Sequence, residues 1–247
     1  MASVAQALRR PDIRALTPFA LGGVICLATA SVASAQRARA ASDSCRPDPE
    51  GPAVSRAAFV ASAKAAYILP YLPGAARLVW RTTSHFNPGN KGVGLYAIDF
   101  EMPIGTPLVA ARAGTVVAVR DHFADGNDKD LEENYVMVRH ADSTVARYIH
   151  LTRGGALVRV GDVVPQGQRI ALSGNTGQTG GPHLHFDVQR CGPNLPPGYN
   201  TLPCGMTVPL TFRNAGPNVC GLIPGRRYSA TAVSRPSGES TPRPSRR

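Results

Sequence analysis

Acidic side chains are scarce in this chain. Sixteen Asp and Glu face 27 Lys and Arg, a formal net charge of +11 over 247 residues. Aromatics are also few, at 6%, with Trp80 the single tryptophan. No basic run is interleaved with aromatics, so the charge does not read as a nucleic-acid surface. Cys-x-x-Cys is absent, which removes the usual zinc-cage spacing. No apolar run after residue 35 is long enough to cross a bilayer. No internal repeat emerges, and low complexity is confined to the C-terminal tail.

What the first 35 residues do contain is an export signal. Arg9, Arg10 and Arg14 precede an apolar run from Pro18 to Ala30, followed by the small-x-small site Ala33-Ser34-Ala35. This order predicts a secretory signal peptide cleaved before Gln36. The run is short and holds Pro18, Gly22 and Gly23, which argues against a membrane anchor. The expected location is therefore secreted, or periplasmic in the envelope of a bacterium. Four cysteines remain after cleavage: Cys45, Cys191, Cys204 and Cys220. An even number in an oxidising compartment predicts two disulfides. Three connectivities are open; Cys191–Cys220 with Cys45–Cys204 is the arrangement adopted as an expectation.

Residues 36–75 read as a polar linker followed by a short helix over the alanine-rich "AVSRAAFVASAKAAY" (53–67). From 76 to 190 the texture changes to short β-branched runs between turn residues: "ARLVW", "LYAIDF", "PLVAA", "GTVVAV", "NYVMVRH", "TVARYIH", "RIALS" and "HLHFDVQ". Period-two patterning of this kind predicts an all-β domain, a compact antiparallel sandwich or barrel. Residues 191–228 form a Cys/Pro-rich extension with one further candidate strand, "VPLTFRN". Six arginines against Glu239 alone in residues 226–247, among Ser and Pro, predict a disordered basic tail from about residue 229. Such a tail suits anionic wall polymers or lipid headgroups as partners, or is a solvated charge with no specific partner.

The chemistry concentrates in "GNTGQTGGPHLHFDV" (174–188). His183 and His185 are two apart on a predicted strand, so both face one side, while Leu184 and Phe186 face the other. His150 ends the strand "TVARYIH", where the period places it on one face with Tyr148, Ala146 and Thr144. Asp99 stands between Ile98 and Phe100, where a buried, unpaired carboxylate is costly. His122 reads as solvent-facing and His140 as turn support. The acidic run 121–133 lacks EF-hand spacing, so it reads as a solvated rim.

The ordered blocks "YAIDFEMPIGTPLVAARAGTVV", "YIHL", "GDVVPQGQRIALSGNTG" and "GPHLHF" resemble the lysostaphin-type (LytM-like) zinc metallopeptidases. The resemblance covers roughly residues 80–190. It implies a compact antiparallel β fold with a groove, and an enzyme that cuts the peptides of bacterial peptidoglycan. It also implies that Asp99 and His185 bind zinc, and that His150 and His183 are the two histidines beside the metal. One position departs from the family pattern. A histidine is expected four residues before the aspartate, and Leu95 stands there. Two readings stay open. In one, His85 of "TTSHFNPGN" supplies the missing ligand, since fourteen intervening steps give ample reach. In the other, the site is degenerate, and the domain binds wall or activates a separate amidase without cutting.

Overall fold

A computed structural model describes residues 43–80, 85–86, 94–190 and 206–233. Residues 1–42, which include the expected signal segment, and Cys191, Cys204 and residues 234–247 lie outside the described residues. Two short strands, β1 (Ser44–Cys45) and β2 (Val54–Ser55), pair at the start. Then come β3 (Ala76–Val79), β4 (Ile98–Glu101), β5 (Pro107–Val109), β6 (Gly114–Arg120), β7 (Tyr135–Arg139) and β8 (Thr144–Ile149). They are followed by β9 (Leu151–Ala156), β10 (Val163–Val164), β11 (Arg169–Ser173), β12 (His183–Arg190) and β13 (Arg227–Ser229).

Eight strands form one sheet in the order β10-β6-β7-β8-β12-β4-β3-β13, and β5-β11-β9 form a second. Every named strand pair is antiparallel. The large sheet turns one face to the core, with Phe100, Val136, Val138, Tyr148, Leu184 and Phe186 all fully buried. Leu108, Leu151 and Ile170 of the small sheet join the same cluster, as do Leu69, Tyr71, Leu210 and Phe212 from the flanking segments. Alternation thus separates the chain's apolar residues from a second face. That face carries His183, His185 and Asp187 on β12 beside the smaller cluster of Tyr135, Met137, Val145 and Ile149.

The all-β architecture expected from the period-two runs is the one observed, and all eight runs contribute strands. The polar, glycine-containing β9 and the short β13 carried no such period. The short helix expected over 53–67 takes the form of two single-turn 3-10 helices, Arg56–Ala58 and Ser62–Lys64. Backbone groups there bond elsewhere: Val60 O accepts from the Thr211 hydroxyl and Tyr67 O from Arg213 N. Those bonds compete with a continuous helix, which so short a segment stabilises poorly by itself. "VPLTFRN" is not a strand but makes a single bridge, Phe212 with Tyr67, and Thr207 just before it bridges to Gln189.

Two further expectations are corrected. Cys220 pairs with Cys45, not with Cys191, their Cα atoms 5.3 Å apart. This joins the segment before the sheet to the segment after it, a proximity that sequence separation hides. The tail also begins later than residue 229. Ser229 ends β13, which pairs with β3, and Ala230 is buried and donates its N–H to Ala75 O. No helix among the described residues is long and apolar enough to cross a membrane.

Candidate metal centre

Strand register brings the first two candidate ligands together. On β4 and β12, Asp99 lies directly opposite His185, and His183 opposite Glu101. Cross-strand partners share a face, so both histidines and Asp99 meet on the face away from the core. His185 Nδ1 lies 3.2 Å from Asp99 Oδ1, and His183 Nε2 lies 3.5 Å from the same oxygen.

His85 completes the group. Its Nε2 is 3.3 Å from Asp99 Oδ2 and 3.1 Å from His185 Nδ1. Leu95 is buried and offers no ligand. The backbone of His85 passes so close to Gly94 that a Cβ there would stand 2.3 Å from His85 O. A glycine beside Leu95 therefore admits the segment that carries the substitute histidine.

The donor set fits a zinc ion. Bonds of about 2.0–2.2 Å in tetrahedral geometry separate neighbouring donors by roughly 3.3–3.6 Å; His85 Nε2 stands 3.3 Å from Asp99 Oδ2 and 3.1 Å from His185 Nδ1, which is 3.2 Å from the other oxygen, Oδ1, so the three groups lie near that spacing. Asp99 is buried, yet neither of its oxygens accepts a well-directed hydrogen bond. A cation at this point compensates that carboxylate. Burial pushes the Asp99 carboxyl up, but the His85 and His185 rings outweigh this and hold it well below the usual range. The side chains of His85 and His185 keep 18% and 12% exposure, so the cluster opens to solvent on their side.

Two more histidines line the site. His183 donates Nδ1–H to Gly181 O at 2.8 Å, and its ring makes tilted contacts with those of Trp80 and His150, each centroid 4.5 Å away. His150 donates Nδ1–H to Thr176 O at 2.7 Å. A carbonyl only accepts, so each ring has Nε2 as its free nitrogen. Burial, then the neighbouring His183 and His185, push His150 down to about 3; burial also lowers His183. Both are neutral bases at ordinary pH. His150 corrects the period-two reading, which put it on the Tyr148 side. β8 ends at Ile149, and His150 takes φ +64°, a left-handed backbone rare outside glycine. That twist turns its ring to the His183 side.

Supporting residues went unread in the sequence. His185 donates Nε2–H to Asp187 Oδ2 at 3.1 Å, and Arg147 holds Asp187 through both Nε and Nη2. This buried pair fixes the His185 tautomer, leaving Nδ1 toward Asp99 and His85. The run 121–133 is more than a solvated rim. Asp125 accepts from Asn175 N and the Thr152 hydroxyl, and Asn127 accepts from Gly177 N. The loop thereby pins the turn that presents Thr176 to His150. A small depression beside the cluster is walled by Asp48, Pro49, Trp80, His85, Leu222 and Pro224.

Residues 94–197 match the family described as Peptidase family M23. That segment, less than half of the chain, is similar to the family. Asp99, His150, His183 and His185 all fall within the matched M23 segment, while His85 precedes it. Among curated relatives, the chain is 42% identical over 115 residues to the peptidoglycan DD-endopeptidase ShyA of Vibrio cholerae, covering 44% of this chain and 25% of ShyA. It is 41% identical over 92 residues to lysostaphin of Staphylococcus staphylolyticus, covering 37% and 18%. Among solved structures, a zinc containing peptidase from Vibrio cholerae aligns with 33% identity and a TM-score of 0.39, covering 58% of this chain and 38% of that one. The chain spans about a quarter of the length of the first of these curated relatives.

Proposed function

We propose that the M23 domain is an exported zinc metalloendopeptidase that hydrolyses peptide bonds of bacterial peptidoglycan. The observation that carries this reading is the convergence of His85 Nε2, the Asp99 carboxylate and His185 Nδ1 at tetrahedral donor spacing. The name of ShyA supplies the substrate class. Zinc held by these three residues would supply a Lewis acid that polarises a carbonyl and lowers the pKa of water to about 7. The protein's own share is proton handling. His183 and His150, neutral and with Nε2 free, take the proton of the attacking water and return it to the leaving nitrogen. Their Nδ1–H bonds to Gly181 and Thr176 hold the rings for that transfer. Asp187 and Arg147 keep His185 in orientation.

Leu95 favours a competing reading, a wall-binding or amidase-activating domain without turnover. The two part in one experiment that measures zinc content and muropeptide cleavage for the wild type and for His183→Ala. The peptidase reading expects one zinc per chain in both proteins and cleavage at least a hundredfold slower in the variant. Wild type that cleaves nothing would sink it in favour of the competitor.

A further inference from the structure

Strand register fixes two of the three candidate ligands, but His85 lies on no strand. Its main chain is held from a distant segment. The N–H groups of His85 and Phe86 both donate to Asp48 Oδ2, at 2.8 and 3.1 Å. The other oxygen, Oδ1, accepts from Glu50 N and Gly51 N at 2.9 and 3.0 Å. Asp48 is 3% exposed. One buried carboxylate thus ties its own turn to the backbone of a metal ligand 37 residues on.

The turn is itself anchored. β1 and β2 close it at the base, and Arg46 Nη1 donates to Gly51 O at 2.6 Å. Three residues before Asp48, Cys45 is bonded to Cys220. On the other flank, a Cβ on Gly51 would stand 2.6 Å from Leu95 Cδ1. Leu95 therefore packs against this turn, so the residue that replaced the usual ligand helps seat the segment that positions its substitute.

We infer that Asp48, held by the Cys45–Cys220 disulfide, is the positioning residue for the metal ligand His85, so that metal affinity is set by this N-terminal clasp. The inference rests on the zinc reading above. Loss of the Asp48 carboxylate leaves two backbone N–H groups beside His85 without their acceptor, and the imidazole loses its fixed approach to Asp99 and His185. Partners of this kind typically change metal affinity 10–100-fold.

The test is zinc affinity by chelator competition, with the visible spectrum of the cobalt-substituted protein as a second readout. Asp48→Ala is expected to bind zinc about 10–100-fold more weakly and to alter the cobalt bands. Asp48→Asn keeps one acceptor oxygen but sets an NH2 donor against two backbone N–H groups, and should recover only part of the affinity. The pair Cys45→Ala/Cys220→Ala removes the disulfide without leaving thiolates to capture metal. It should weaken binding in the same direction, and less than additively with Asp48→Ala. Folding of each variant is read by circular dichroism. A folded Asp48→Ala protein with affinity within twofold of wild type overturns the role of Asp48. If that variant does not fold, wild-type affinity in the cysteine pair overturns the clasp. Wild type that binds no zinc defeats the peptidase reading itself, which distinguishes the two failures.

Discussion

At the residue scale, the histidines divide by what their ring nitrogens face. His183 and His150 give Nδ1–H to carbonyls, which leaves Nε2 unprotonated in the neutral ring. His140 gives Nδ1–H to Ala113 O, but its Nε2 is buried without a partner, and it serves the β7–β8 turn. Burial lowers His140 to about 4. An unfolded chain takes up that proton near 6.5 and the folded protein only near 4. Stability from this group is therefore complete above about pH 6.5 and is lost as pH falls toward 4, by on the order of 3 kcal/mol. Denaturant titrations across that window should show the loss, and His140→Gln should flatten it. The His183/His185 pair was legible because period two alone puts both on one face. His85 was open to chain reach but not to spacing, and Asp48 left no trace, because its bonds go to backbone N–H groups that every residue carries.

At the element scale, β12 does two jobs on two faces. Leu184, Phe186 and Val188 are fully buried in the core, and His183, His185 and Asp187 face the site. Phe186 contacts Tyr148 and Phe212 edge-on or tilted, with ring centroids 5.1 and 6.2 Å away. Phe186→Ala should cost about 3–5 kcal/mol in denaturant unfolding, with metal affinity falling as the strand loosens. Unchanged stability would show that the core is not what holds the histidine face in register. Strands with apolar alternation were readable for this reason. β9, with Arg153, Gly154 and Gly155, was not, because its pairing with β11 rests on main-chain bonds. The turn of His150 out of its strand was equally hidden. A left-handed residue breaks the period on which the reading depended.

At the scale of the whole molecule, the segments on either side of the M23 match complete the domain. β13 extends the large sheet beyond β3, Tyr71 donates its hydroxyl to Tyr228 O, and Leu69 N donates to Asn214 Oδ1. Ending the chain after Arg226 should therefore lower the melting temperature by several degrees, while ending it after Val233 should leave it unchanged. The second truncation removes most of the basic tail. It is expected to weaken low-salt binding to anionic wall polymers, as measured by co-sedimentation; equal binding would make the charge incidental.

The sequence by itself determined the all-β class and the strand that carries His183 and His185. These follow from side-chain period and from motif spacing, which are local along the chain. Only the tertiary structure decided that His85 lies beside Asp99 and His185, that Cys45 bonds Cys220, and that Asp48 holds the backbone of His85. Each of these joins segments far apart in sequence through contacts that no local pattern encodes.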